Sequence, residues 1–150
     1  MAKVLRDEMA AIAQRGLIQT QEAMLETSKK SNSLLIGIPK ETSYQECRIA
    51  LTPLSVALLI NNGHKVLLES GAGTGANFSD KDYSEQGAQI SFNKKDVWAA
   101  DIIVKIAPPT LEEIEMMHKG QTLISGLQIG TLKREILKAL LQKKINALCF

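Results

Sequence analysis

From residue 34 onward, short apolar runs alternate with longer segments in which apolar positions recur at helical spacing. The apolar runs are nearly continuous in Ile, Leu and Val, which is typical of parallel strands that are covered on both faces. The pattern predicts six such strands, the last of them buried like the others, over residues 34–38, 65–69, 88–92, 101–106, 122–127 and 145–150.

Signals for helix ends fill the intervals between the predicted strands. Thr52 followed by Pro53 is typical of a helix start, and Thr110 with Glu113 forms a capping box. Glycines mark several helix ends, so that we predict helices over 52–63, 79–87, 110–120 and 131–144. Strands and helices that alternate in this way predict an α/β fold with a doubly wound, Rossmann-like parallel sheet.

The two ends of the chain differ from this pattern. Residues 1–33 are predicted to form a helical arm, with apolar residues at helical spacing, followed by a polar linker over 28–33. The arm either packs on its own domain or forms a contact in an oligomer. The α/β domain occupies 34–150, and because it stops at Phe150 inside a predicted strand, we expect the chain to be the first part of a longer protein.

Composition limits the classes of function. The 150 residues are 45% hydrophobic and 23% charged, with a net charge of +2, as in an ordinary globular domain. Because the chain has no basic stripe and is only 4% aromatic, no nucleic-acid partner is expected. Cys47 and Cys149 lack the spacing of a disulfide framework or a zinc site, which favours a cytoplasmic protein without a metal. No apolar run approaches the roughly 18 residues that span a bilayer, so membrane insertion is not expected.

Several residues with chemical potential follow the predicted strands, where such sheets bind their ligands. The planar guanidinium of Arg48 suits a carboxylate or phosphate, although it could equally pair with Glu41 or Glu46. Lys105 interrupts an apolar run, so that it either extends to the sheet edge or meets a ligand or carboxylate there. Gln128 follows the fifth strand.

Other candidates receive structural interpretations. The sequence GAGTGA over 71–76 fits the spacing of a dinucleotide loop, but the next helix starts only at Ser79, so we predict a backbone-permissive turn. His64 and His118 have no neighbours with metal-ligand spacing, and Cys47 has no evident base.

Several motifs occur in an order that is familiar from one family. IGIPKET, ECRIALTP, NNGHKVLLESGAGTGANF and KGQTLIS resemble the N-terminal domain shared by alanine dehydrogenase and the α subunit of proton-translocating nicotinamide nucleotide transhydrogenase. The resemblance covers about 35–150. It implies the substrate-side domain of an NAD(P)-dependent dehydrogenase, with NAD or NADP bound mainly by a second domain absent from this chain. It also implies a homo-oligomer, and the isolated chain is expected to be inactive.

The resemblance assigns roles residue by residue. Arg48 matches the arginine that binds the substrate carboxylate, and Lys105 matches the first lysine of the alanine dehydrogenase motif K-V-K-E-P, so both are predicted to bind a small amino or keto acid. Ala107 stands where that motif has its second, substrate-contacting lysine, and Gln128 stands where the catalytic histidine is expected. No catalytic residue is therefore assigned.

Three functions remain open at this point. The first is the interconversion of L-alanine, NAD and water with pyruvate, ammonia and NADH. The second is the α component of a transhydrogenase, because those subunits also lack the lysine and the histidine. The third is a non-catalytic binding or assembly module.

Overall fold

The structure, a computed structural model, describes residues 33–128 and 130–150. The predicted arm lies outside these residues, apart from Ser33. Six parallel strands form one sheet in the order β3-β2-β1-β4-β5-β6, which confirms the predicted α/β fold. The strands are β1 (Leu35–Ile38), β2 (Lys65–Glu69), β3 (Gln89–Ser91), β4 (Ile102–Val104), β5 (Thr122–Ser125) and β6 (Asn146–Cys149).

Five α-helices connect these strands, together with a short 3₁₀ helix, Thr74–Ala76. They are α1 (Pro53–Asn61), α2 (Asp80–Glu85), α3 (Lys94–Trp98), α4 (Leu111–Met116) and α5 (Arg134–Gln142).

The predicted capping signals operate as expected. The hydroxyl of Thr52 accepts a hydrogen bond from the backbone of Ser55, and Pro53 occupies the first turn of α1. Thr110 and Glu113 form the predicted capping box at the start of α4. Gly63 follows α1 with a φ of 89°, a conformation that costs little only in glycine.

Alternating residues of the strands face two apolar layers. On β1, Ile36 and Ile38 belong to the layer under α1 and α2, whereas Leu35 contributes to the other layer. The residue between Ile36 and Ile38 is Gly37, and only glycine fits there because a side chain would collide with the carbonyl group of Val97. The absence of a Cβ therefore lets α3 approach the sheet. The second layer is built on Trp98, Ala100, Ile103, Ile114, Met117, Leu123 and Leu140.

Three details of the prediction were wrong. Helix α3 was not predicted, because its single turn is too short to show helical periodicity. Helix α5 begins at Arg134 rather than Thr131, because Thr131 instead closes a turn on the carbonyl of Gln128. The last strand is not buried: β6 lies at the edge of the sheet, and its residues are exposed.

The strand order reverses between β1 and β4. The chain moves outward from β1 to β3 and then returns to the other side of β1, where β4 begins the second half. The segments that follow β1 and β4 therefore flank a crevice at the carboxyl edge of the sheet, which is the usual ligand position in such folds. Among the described residues, no helix has the length and apolar character needed to cross a bilayer.

Candidate functional site

A cleft of about 450 Å³ opens beyond the carboxyl ends of β1, β4 and β5. It brings together Arg48, Ala107 and Gln128, which lie on three different loops of the chain. These are three of the positions that the sequence singled out. The complete lining consists of Glu46, Arg48, Ile106, Ala107, Pro108, Gly126, Gln128, Thr131 and Phe150.

Arg48 makes a two-pronged ion pair with Glu46 in the loop after β1. Its Nε donates to Glu46 Oε1 at 2.8 Å, and its Nη2 donates to Glu46 Oε2 at 2.7 Å. The turn that presents Glu46 depends on Gln45, whose φ of 61° is left-handed, and on a hydrogen bond from the Glu46 amide to the carbonyl of Ser43. The local backbone therefore fixes the carboxylate, and the carboxylate fixes the guanidinium.

The ion pair leaves part of the guanidinium available. Arg48 retains donors on Nη1 and Nη2, and no group among the described residues bonds to Nη1. Its side chain is 74% exposed, whereas that of Glu46 is 14% exposed. Hydrogen bonds from the Arg48 side chain and backbone lower the pKa of Glu46 to about 2, and the same contact raises the pKa of Arg48. Both groups therefore stay charged at neutral pH, with one guanidinium edge open to a ligand.

Lys105 lies beside the cleft but is fully buried. Its Nζ donates to Glu113 Oε2 at 2.9 Å and lies 3.7 Å from Glu41 Oε2. The ammonium also lies 5.8 Å from the centre of the Trp98 ring, in a cation–π arrangement. Of the alternatives that the sequence left open, extension to the sheet edge is therefore wrong, and protein carboxylates meet the charge. A contact between Lys105 and substrate stays a prediction.

Four charged residues form what we call the buried charge cluster: Glu41, Lys94, Lys105 and Glu113. Lys94 Nζ and the hydroxyl of Thr42 both reach Glu113 Oε1, at 3.4 and 3.2 Å. From the sequence, Glu113 is predicted only as a capping residue, and no role is predicted for Lys94. A signal was available, because a lysine inside an apolar run requires a nearby carboxylate.

Glu41 connects this cluster to the cleft wall. Its carboxylate accepts hydrogen bonds from the backbone amides of Ile106 and Ala107, two consecutive residues that line the cleft. Glu113 is also held as an anion: burial opposes its ionisation, but hydrogen bonds from Lys105 and the Thr110 amide, with the charges of Lys105 and Lys94, lower its pKa. Through Glu41, the cluster therefore fixes the backbone of the loop after β4, which forms part of the cleft wall.

Gln128 enters the cleft on the turn that precedes α5. The amides of Thr131 and Leu132 both donate to the Gln128 carbonyl, and the Thr131 hydroxyl lies 3.4 Å from Gln128 Oε1. An amide side chain can donate or accept hydrogen bonds but does not exchange protons near neutral pH. The Gln128 amide and the Ala107 methyl group therefore leave this side of the cleft uncharged, with the amide as its polar group.

The glycine-rich segment 71–76 lies outside the cleft, next to a separate depression. The amide of Gly71 donates to Asp80 Oδ1 at 2.8 Å, so that a carboxylate of the chain already occupies this donor. Added side chains at Gly73 and Gly75 would collide with the backbone carbonyls of Phe78 and Cys47. The segment serves internal packing, in agreement with the predicted backbone-permissive turn, and its residues do not fit a dinucleotide pyrophosphate.

The remaining candidates lie away from the cleft. The Leu34 amide, just before β1, donates a hydrogen bond of 3.5 Å to Nδ1 of His64, just before β2. His118 is exposed after α4. Cys47 and Cys149 are free and exposed thiols. Across residues 33–128 and 130–150, no three His, Cys, Asp or Glu side chains are arranged to hold a metal ion.

Comparison with known proteins places the chain in a family. The profile of the family described as "Alanine dehydrogenase/PNT, N-terminal domain" matches residues 37–150. The chain belongs to this family. The resemblance that the motifs indicated is thereby confirmed.

Individual relatives agree with the family match. The chain is 39% identical over 117 residues to alanine dehydrogenase of Bacillus subtilis, which covers 78% of this chain and 31% of that protein. A solved structure titled L-alanine dehydrogenase has a TM-score of 0.75 and 38% identity, covering 77% of this chain and 32% of that one. The transhydrogenase structure from Sinorhizobium meliloti gives 0.71 and 28%, covering 77% of this chain and 34% of that one.

The match covers only part of each relative. The chain spans about a third of the length of the proteins that it matches. It is an N-terminal domain of the alanine dehydrogenase/PNT family, in which the structure brings Arg48, Ala107 and Gln128 into one cleft.

Proposed function

We propose that the chain is the substrate-side domain of an NAD(P)-dependent oxidoreductase that interconverts a small amino acid and its keto acid, with L-alanine and pyruvate as the reference pair. The nucleotide would be bound mainly by another part of a longer protein, because the described glycine-rich segment does not fit it. The proposal includes a cytoplasmic, homo-oligomeric enzyme, as the family resemblance implies.

One observation carries this proposal: the exposed guanidinium edge of Arg48 in the cleft. The Nη1 and Nη2 donors can make two parallel hydrogen bonds to a carboxylate, which is the geometry that arginine provides and lysine does not. Glu46 holds the opposite edge and so orients the open one. A ligand carboxylate would therefore bind to a guanidinium whose orientation is already fixed.

Gln128 and Ala107 limit the chemistry on the other side of the cleft. The Gln128 amide can donate a hydrogen bond to a carbonyl oxygen and so polarise it, but it cannot supply the proton that imine formation or hydrolysis requires. Ala107 supplies no second cation. We therefore expect turnover by the intact protein to be slow and to depend on the residues at these two positions.

The test is turnover of the intact protein with pyruvate, ammonium and NADH, and in reverse with L-alanine and NAD. Arg48→Gln should raise KM for the keto acid by at least about tenfold, because a hydrogen bond to a charged group contributes about 1.5–3 kcal/mol. Lys81→Gln is the matched control, since Lys81 also forms an exposed ion pair, with Glu85, but does not line the cleft. Equal KM values for Arg48→Gln and Lys81→Gln would refute the proposal.

A transhydrogenase α component is the second candidate, favoured by the likeness to the Sinorhizobium meliloti structure. In that case the reaction is hydride exchange between two nucleotides. Incubation with NADH and a thio-analogue of NADP, together with membranes that supply the partner subunit, distinguishes the two candidates. Hydride exchange without keto-acid turnover would favour the transhydrogenase.

A non-catalytic binding module is the third candidate, favoured by the presence of Ala107 and Gln128 in the cleft. It predicts calorimetric binding of pyruvate or NADH with no turnover. The variant Ala107→Lys/Gln128→His separates it from a slow enzyme: we expect this variant to gain activity over a measurable wild-type rate, whereas a binding module starts from none.

A further inference from the structure

A second groove, of about 580 Å³, adjoins the Arg48 cleft. Pro108, Gln128 and Thr131 line both depressions, so the two lie side by side across these residues. Each falls within the roughly 300–1,000 Å³ typical of sites for ligands of drug size. The combined space is much larger than a three-carbon keto acid requires.

The second groove is largely apolar and runs between the starts of α4 and α5. Pro109 and Leu111 line one side, and Leu132 and Ile136 line the other. Leu111 is 44% exposed, so a ligand in the groove would remove apolar surface from water. Such burial favours a ligand with an apolar side chain.

The charges of the groove differ from those of the cleft. Glu112, Glu135 and Lys133 lie in its lining, so acids outnumber bases there. A second carboxylate on the ligand would face these acids without a guanidinium of its own. The arrangement favours a ligand with one carboxylate, near Arg48, and an apolar remainder.

We propose that the cleft and groove together bind a monocarboxylic 2-oxo or 2-amino acid with a long aliphatic or aromatic side chain. The carboxylate lies on the open edge of Arg48, and the side chain passes Pro108 and Gln128 to contact Leu132 and Ile136. This assignment rests on the proposed function for the position of the carboxylate. It extends the ligands from the reference pair, L-alanine and pyruvate, to acids of the same class with longer apolar side chains.

The test is calorimetric titration of the intact protein with pyruvate, 4-methyl-2-oxopentanoate, phenylpyruvate and 2-oxoglutarate. The two apolar acids should bind at least about tenfold more tightly than pyruvate, because one methylene in an apolar pocket is already worth roughly tenfold or more. 2-Oxoglutarate should gain nothing over pyruvate. Equal affinity for pyruvate and the apolar acids, or tighter binding of 2-oxoglutarate, would overturn the assignment.

A pair of variants locates the side chain. Leu132→Ser should lower the ratio of the affinity for 4-methyl-2-oxopentanoate to that for pyruvate by most of its wild-type value. Leu137→Ser is the matched control, because Leu137 is also partly exposed near the start of α5 but does not line the groove. An unchanged advantage in Leu132→Ser overturns the groove assignment alone. Failure of all four acids to bind overturns the proposed function as well.

Discussion

Two charged regions lie at the same edge of the sheet and differ in almost every physical respect. In the buried charge cluster, Lys105 and Glu113 are fully enclosed and neutralise each other. In the cleft, Arg48 is 74% exposed, and Glu46 occupies only one edge of its guanidinium. The charges of the first region are matched within the protein, whereas the second has guanidinium donors that face the cleft.

The difference shows how structural and functional charges can be distinguished. A buried ion pair must be matched within the protein, because an isolated charge there costs several kcal/mol. An exposed pair loses little when a ligand replaces water around it. Lys105 and Arg48 follow neighbouring strands, and both match positions in the same family. Their surroundings differ, because Lys105 is buried against Glu113 whereas Arg48 is exposed beside the cleft.

The largest expected effect is on stability, from breaking the buried pair. Lys105→Met leaves Glu113 with Lys94 alone, and Glu113→Gln leaves Lys105 with the more distant Glu41 alone. Either variant should lower the free energy of unfolding, by at most about 3–5 kcal/mol. The double variant Lys105→Met/Glu113→Leu should recover much of this loss, because no isolated charge remains at those positions. Urea denaturation of the single and double variants measures the coupling. A single variant that loses less than about 1 kcal/mol would mean that the cluster is not structural.

The next effect is the response to acid. The pKa of Glu113 is lowered in the folded state, so its ionised form stabilises the fold above the unfolded pKa of about 4.5, and this stabilisation is lost as the pH falls through the folded pKa. Thermal unfolding between pH 6 and 3 should therefore show a steeper loss for the wild type than for Glu113→Gln. Glu46→Gln should follow the wild-type curve. Its partner Arg48 is 74% exposed, so solvent screens the pair and the lowered pKa of Glu46 contributes little stability. Identical slopes for the wild type and Glu113→Gln would contradict this account.

The smallest effect concerns the orientation of Arg48. Glu46→Gln keeps the shape of the side chain but weakens the hydrogen bonds that it accepts from Nε and Nη2 of Arg48. The guanidinium should therefore sample more orientations. We expect a several-fold weaker affinity for pyruvate, with an unfolding temperature within error of the wild type. Tighter binding would show that Glu46 competes with the ligand instead of orienting Arg48.

The fold was largely predictable because its signals are local. Near-continuous apolar strands and the caps at Thr52 and Thr110 follow from patterns within a few residues. The exposure of β6 was not predictable in this way, because an edge strand and a central strand can share the same apolar sequence.

The site was predictable in part. Arg48, Ala107 and Gln128 were singled out from motifs, and their convergence follows from the strand order. The partners of Lys105 were not predicted, since Glu41 lies on the loop after β1 and Glu113 lies on α4, and only the folded chain brings them together. Sequence shows that a buried lysine needs a carboxylate but does not show which one supplies it.

The central proposal is that Arg48 binds the ligand carboxylate, whereas the buried ion pair of Lys105 stabilises the fold. Its most direct test is calorimetric titration of the intact protein with pyruvate. Wild type, Arg48→Gln and Lys105→Met/Glu113→Leu are compared, with the unfolding temperature of each measured alongside. The account predicts that Arg48→Gln binds at least about tenfold more weakly with unchanged stability, whereas the double variant keeps its affinity. Unchanged affinity in Arg48→Gln, or lost affinity in a fully folded double variant, would contradict it.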